Sequence, residues 1–404
     1  MQFLPSTFLA LCLVTLLATL AHSSPINPTS DNTKSKREPT CTDLIVPITF
    51  SAYNLNLAGL TLNQLLGNLV GSLVPLAFDV FVQGTYDISM RYCEPEVYIE
   101  SRQNMLQFLV HGATYTKDYW SGSGPPGQGY NAASNSDYYS WVQYASQNGY
   151  PTLAIDRLGN GNSTHPDPVL EAQVPANFEV IHQILTQIRS QNTPLPRPFT
   201  QIIYVGHSFG SIIGNGLVSK YPSDVDALIL TGYSPSFQLA APGVVLDSIL
   251  LPAAIEDPNR FGDLAAAYLE FTSPPGQAAL FFHVGDYDVN MFNFDYSHRG
   301  VISAGEAASA TVSGYNALQY SGPIQVIDGQ YDQIFCNPLS LPLGLFTCGT
   351  TTSGFTYSTI DEFPAASSFE TYILSDAGHC WHLHENAQEG FYAAHDWMYR
   401  HGFL

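Results

Sequence analysis

The chain has 404 residues, 45% of them apolar and 13% aromatic, which is enough for a sizeable core and argues against disorder over most of its length. Only 12% are charged and the net charge is −21, a balance that repels nucleic acid and anionic lipid headgroups rather than binding them.

The first elements are processing signals rather than fold. The run FLALCLVTLLATLAHS is apolar and ends in small residues, and it reads as a secretory signal peptide over residues 1–22, although it lacks a charged start. It is short for a membrane span of ~20 residues, and a polar, Pro/Ser/Asn-rich piece follows. That piece, residues 23–37, ends in Lys36-Arg37, which looks like a propeptide processing site of the fungal secretory type. Loss of residues 1–37 removes three basic side chains and one acidic one, so the mature charge is about −23. Cys12 leaves with the leader. In a secreted chain the remaining cysteines should mostly pair. The expected bridges are Cys41–Cys93 and Cys336–Cys348, with Cys380 left over. Asn162-Ser163-Thr164 is a sequon, so Asn162 is a candidate glycan site in an extracellular protein.

In LNQLLGNLVGSLV, Leu62, Leu65, Leu66, Leu69 and Leu73 fall at helical spacing, a stripe expected to pack on the body of the protein. FDVFVQGTYDISMRYC then alternates with period two and reads as two strand-like runs. From Met105 strands and helices alternate. MLQFLV, YPTLAID, QIIYVG and DALILTG read as strands; DYYSWVQYASQNG, FEVIHQILTQIRSQ and GSIIGNGLVSKY read as helices. Such alternation predicts a mostly parallel sheet flanked by helices, an α/β class fold. The rhythm stops after Ser234. It resumes with PIQVIDG, then ETYILSDAG and a last helix, HENAQEGFYAAHDWMYRH. Residues 38–234 and 322–404 therefore form the core. Residues 235–321 are too long for a plain loop and are expected to be a largely helical cap or lid, with helices near VVLDSILLPAAI and DLAAAYLEF. Such a cap would lie over the C-terminal edge of the sheet, where open α/β sheets place their sites.

Gly206-His207-Ser208-Phe209-Gly210 joins a strand to a helix. A turn that sharp strains the central residue and requires small neighbours two positions away, which is the mechanical reason for the pattern G-x-S-x-G. Ser208 is the candidate nucleophile. A hydroxyl needs a base and an orienting acid. His379, at the end of the last strand, is the candidate base. Asp328 and Asp332 compete for the acid, and Asp332, in the loop beyond Gly329, is the better placed. His207 is expected to pack or hydrogen-bond structurally. HCWHLH could be misread as metal ligands, but no known zinc spacing is present, and neither metal nor cofactor is needed. The developing oxyanion needs two donors: the N–H of Phe209, and the N–H of Ala113 in the HGAT segment straight after MLQFLV.

The order HGAT (111–114), DRLGNGNS (156–163), GHSFG (206–210), GQYD (329–332), AGH (377–379) resembles the α/β-hydrolase superfamily, from about Gln107 to the C-terminus. The resemblance implies an α/β-hydrolase fold with Ser208 as nucleophile, Asp332 as acid and His379 as base. HGAT differs from the triple-glycine form of many lipases, and the HGGPG-like pattern of proline-specific peptidases is absent. The expectation is a secreted, extracellular serine hydrolase that cleaves a carboxylic ester of a small molecule through an acyl-enzyme. Alternatives are an amide, thioester or lactone hydrolase on the same triad, or a non-catalytic relative that binds. Cap aromatics such as Phe281, Phe282, Tyr287, Phe292 and Phe294 suggest an apolar or aromatic acyl or alcohol group. No nucleic-acid partner and no stable membrane span are expected.

Overall fold

A computed structural model of the chain describes residues 39–60, 77–130, 137–190, 192–237, 250–312, 314–337 and 347–404. The leader, the propeptide-like piece, the leucine stripe at 62–73 and the first half of VVLDSILLPAAI lie outside the described residues.

Two long strands open the core, β1 (Thr40–Leu55) and β2 (Phe78–Glu94), paired antiparallel. In β1, Val46, Ile48, Phe50 and Ala52 point inward and alternate with exposed residues, the period-two pattern of a strand with one solvated face. Pro47 is tolerated because β1 is an edge strand, where a missing N–H costs little. Cys41 and Cys93 face each other in register and form a disulfide. Next come β3 (Met105–Val110), helix α1 (Trp141–Gln147), β4 (Thr152–Ile155) and α2 (Val174–Arg189). They are followed by β5 (Gln201–His207), α3 (Phe209–Lys220) and β6 (Ala227–Thr231). Strands β3, β4 and β6 are buried throughout and β5 nearly so, as expected where helices cover both faces of a parallel sheet.

The chain then leaves the sheet. The described part of this excursion holds a three-stranded antiparallel sheet, β7 (Leu250–Pro252), β8 (Tyr268–Phe271) and β9 (Ile302–Ser303). Around it lie α4 (Ala253–Glu256), α5 (Pro258–Phe261), α6 (Pro274–Phe281), α7 (Val289–His298) and α8 (Ala304–Thr311). DLAAAYLEF is therefore not a helix: its second half is β8. The alanine run favours helix, but all four residues of β8 are buried between two partner strands, and Glu270 pairs with Arg299 at 2.9 Å. Tertiary pairing overrides local propensity here. The helix α8 begins with a capping box, Ser303 accepting from Glu306 N while Glu306 accepts from Ser303 N.

The core resumes with β10 (Ile324–Gly329), β11 (Phe369–Leu374) and α9 (Ala387–Arg400). The main sheet has eight strands in the order β1-β2-β4-β3-β5-β6-β10-β11, and the last six in that order run parallel. It is a mostly parallel α/β sheet flanked by helices. A second disulfide, Cys336–Cys348, ties the segment after β10 back to it, since Cys348 N also donates to Gln330 O. Cys380 is free and buried. Among the described residues no helix is long and apolar enough to cross a membrane.

Asp295 on α7 anchors the excursion to the core. Its buried carboxyl accepts from Ser123 Oγ (2.6 Å), Gln277 Nε2 (3.0 Å) and Tyr115 OH (3.2 Å). Burial pushes its pKa up to about 7, against the opposing pull of those donors. The folded chain thus holds this proton at pH values where the unfolded chain has released it. Its contribution to stability falls as pH rises from about 4 to about 7 and is constant above. Asp295→Asn should therefore gain on the wild type by about 3 kcal/mol between pH 5 and pH 8. Urea unfolding at the two pH values checks this, and an unchanged gap would contradict it.

Candidate active site

Ser208 sits in the single-residue joint between β5 and α3, at φ 55° and ψ −116°. A non-glycine residue there costs of order 1–3 kcal/mol and needs a framework to hold it. Ser208 N donates to Thr231 O (2.8 Å), and Ser211 Oγ donates to the same oxygen (2.9 Å). The neighbouring glycines leave no room for side chains. A Cβ on Gly206 would meet the Gly210 carbonyl at 2.7 Å, and one on Gly210 would meet Val110 O at 2.1 Å. A Cβ on Gly112 would lie 3.0 Å from Ser208 Cβ, so the loop after β3 runs against the serine itself.

That loop and the start of α3 carry the two expected oxyanion donors. Ala113 and Phe209 line one cleft with Ser208. The Phe209 N–H is an orphan donor of the first helical turn. Ala113 N–H makes no hydrogen bond with the described residues.

His379 follows β11. Its Nδ1 lies 2.7 Å from Asp332 Oδ2, and both side chains are buried. Asp332 is fixed in turn by Ile334 N (2.7 Å) and Phe335 N (2.9 Å), which donate to its other oxygen. The carboxylate therefore holds a proton on Nδ1 and leaves Nε2 as the acceptor. His379 Nε2 is buried and has no hydrogen-bond partner among the described residues. No hydrogen bond joins it to Ser208 Oγ, as is common before substrate binds. The two nevertheless share one turn. Ser208 N bonds to Thr231 O, and a Cβ on the next residue, Gly232 (φ 58°), would strike His379 Cε1 at 2.9 Å.

Asp328 does not reach the imidazole. It lies deeper, accepting from Tyr233 N (2.6 Å) and from Thr356 Oγ1. Burial first, and the nearby Asp332 second, raise its pKa well above the usual carboxylate range. His207 turns away from Ser208 to Thr231 Oγ1 (3.1 Å) and stacks on Tyr119. Burial keeps it neutral by lowering its pKa far below the usual value. The other histidines of HCWHLH have partners of their own. His382 meets Tyr119 OH at 2.9 Å. His384 donates to Cys380 O and accepts from Gly378 N and His283 N, and burial pushes its pKa down to about 4. Asp328, Cys336 and Cys348 also come close together, but the two sulfurs are bonded to each other.

The family model of the alpha/beta hydrolase fold matches residues 124–343, more than half of the chain. The chain belongs to that family. The hydrolase fold is also that of a thermophilic esterase from Thermogutta terrifontis, with a TM-score of 0.50 at 13% identity over 88% of this chain and 98% of that one. A proline iminopeptidase from Mycobacterium smegmatis superposes with a TM-score of 0.47 at 15% identity, over 78% and 95%. No curated protein sequence matches the chain.

In this hydrolase the cleft at Ser208 measures about 660 Å³ to its open mouth. Phe271, Phe281, Phe335 and Ile334 wall one part, and Ala307 and Ala310 of α8 form another. Among the described residues its lining has no ionisable side chain. Of the five aromatics singled out in the sequence, Phe281 alone among them lines the cleft. It also covers the His379 ring at 5.3 Å. Phe282, Tyr287 and Phe292 pack on one another and on His384, and Phe294 packs on Tyr130 and His298. They form the small core of the excursion rather than a substrate wall.

Sequence reasoning missed Arg157 and Glu306. Both are fully buried and form an ion pair through Arg157 Nη1. Asn160 and Asn177 also donate to Glu306. Arg157 stood within DRLGNGNS, and Glu306 stood in the S-x-x-E box. Asn162, the glycan candidate, is exposed in the same turn, with its N–H on Asp156 Oδ2 (3.0 Å).

Proposed function

We propose that this chain is a secreted serine hydrolase that cleaves a carboxylic ester. Ser208 Oγ attacks the carbonyl carbon as its proton passes to His379 Nε2, and Asp332 stabilises the imidazolium that forms. The N–H groups of Ala113 and Phe209 receive the oxyanion. The alcohol leaves with the proton from His379. Water, activated by the same imidazole, then releases the acid. The observation that carries the reading is His379 itself: one nitrogen tied to a buried carboxylate, the other buried and free beside the turn that holds Ser208. Placement outside the cell is supported by the two disulfides, which persist in oxidising compartments.

The uncharged cleft supports an apolar acyl group. Among the described residues it offers no carboxylate to recognise a free amino terminus and no cation to recognise an acid. The experiment is a panel of p-nitrophenyl esters from acetyl to hexanoyl and benzoyl, with the matching anilides. Esters should be turned over, with kcat/KM rising from acetyl to hexanoyl. Ala310→Phe should lower the hexanoyl-to-acetyl ratio by about 10–100-fold, since each lost methylene contact is worth a factor of this order. Turnover of anilides alone would favour the amidase reading. An unchanged ratio would remove α8 from the acyl site, and no turnover of any compound would favour a binding protein.

A further inference from the structure

We propose that Arg157 is a positioning residue that aims the Ala113 N–H into the cleft. The inference rests on the acyl-transfer reading above. Gly112 O and Ala113 N–H belong to one peptide group, and in a trans peptide the carbonyl and the N–H point in opposite directions. Gly112 O receives two donors. Arg157 Nη2 reaches it at 3.2 Å and His111 Nδ1 at 2.9 Å. His111 can donate there because its Nε2 accepts from Arg157 N (3.2 Å), which fixes the tautomer. With the carbonyl held on that side, the Ala113 N–H is turned to the other side, where Ala113 and Ser208 line the cleft.

The same guanidinium lies 4.6 Å from the centre of the Phe209 ring. One side chain thus touches both residues that would supply oxyanion donors. It is held in place by Glu306, on the helix that walls the cleft. A cation on the carbonyl oxygen of a buried peptide also polarises that peptide and strengthens its N–H as a donor. The planar fork of arginine is needed, because one nitrogen serves Glu306 while another serves Gly112.

The test compares wild type with Arg157→Lys, which keeps the charge but loses the fork, and Arg157→Gln, which loses both. The readouts are kcat and KM on a p-nitrophenyl ester and the Ki of a trifluoromethyl ketone carrying the same acyl group. Ser208 Oγ adds to the ketone carbon, its proton moves to His379, and the carbonyl oxygen becomes the oxyanion. Removing an oxyanion donor outright costs about 10²–10³ in kcat. Misaiming one should cost about 10–100-fold in Arg157→Gln and less in Arg157→Lys. KM should stay within about threefold, and Ki should rise by the factor that kcat/KM falls. A loss confined to KM, a kcat loss that the ketone does not mirror, or no loss at all overturns the inference. If Arg157→Gln does not fold, Arg157→Lys is judged by the same criteria. A wild type that neither turns over esters nor binds the ketone overturns the proposed function, and this inference with it. A competent wild type with unaffected variants overturns this inference alone.

Discussion

Ser208→Ala should lower kcat/KM for p-nitrophenyl esters by about 10⁴–10⁶, the scale seen when a triad member is removed and only oxyanion stabilisation and binding remain. The loss should fall on kcat. The hydroxyl makes no hydrogen bond with the described residues, so its removal leaves no buried group unpaired, and thermal stability should be little changed. Ser208→Gly should be equally inactive but more stable, by about 1 kcal/mol or more, because glycine adopts φ 55° without the strain that serine bears. Steady-state kinetics and melting of the three proteins check both parts. An active Ser208→Ala would remove the serine from the chemistry.

Asp332→Asn should cost about 10⁴ in kcat, the scale for replacing the orienting acid of a Ser-His-Asp site. The introduced amide would be free to turn its NH₂ group toward His379 Nδ1. The ring would then carry its proton on Nε2 and could no longer accept one from Ser208. Asp328→Asn separates this from a general effect of removing a buried carboxyl. Burial already favours the neutral form of Asp328, and asparagine resembles that form. Its kcat should stay within about tenfold of wild type. Equal losses in the two variants would mean that the pair acts as one unit and that the assignment of roles is wrong.

Much of the fold was legible because the parallel strands are buried on both faces and read as short apolar runs. MLQFLV and QIIYVG match β3 and most of β5. The alternation over residues 78–93 was also visible, but the two strand-like runs expected there are one continuous strand, with Gly84 held inside it opposite Phe50. Strand β1 was not read, although VPITFSAY alternates as clearly. Its sidedness is plain only once α2 is seen to cover it. The β8 segment was misread because alanine-rich sequence favours helix and the strands that capture it are distant in sequence.

The spacing of chemical residues was legible for a mechanical reason. A sharp turn needs glycines at 206 and 210, and a loop running against the serine needs Gly112. The choice between Asp328 and Asp332 could be argued from depth: one lies inside the strand and the other past its end. Arg157 and Glu306 are 149 residues apart, and no local pattern pairs them. Nor could sequence sort the aromatics of the excursion, since a wall residue such as Phe281 and a core residue such as Phe282 are adjacent and equally apolar.

The most direct measurement is the site of covalent modification by a fluorophosphonate, read as intact mass and by peptide mapping of the folded protein. One adduct per chain is expected, on the peptide containing Ser208, formed far more slowly in His379→Ala. Full modification with His379 absent, an adduct on another residue, or none on a folded chain would contradict the account.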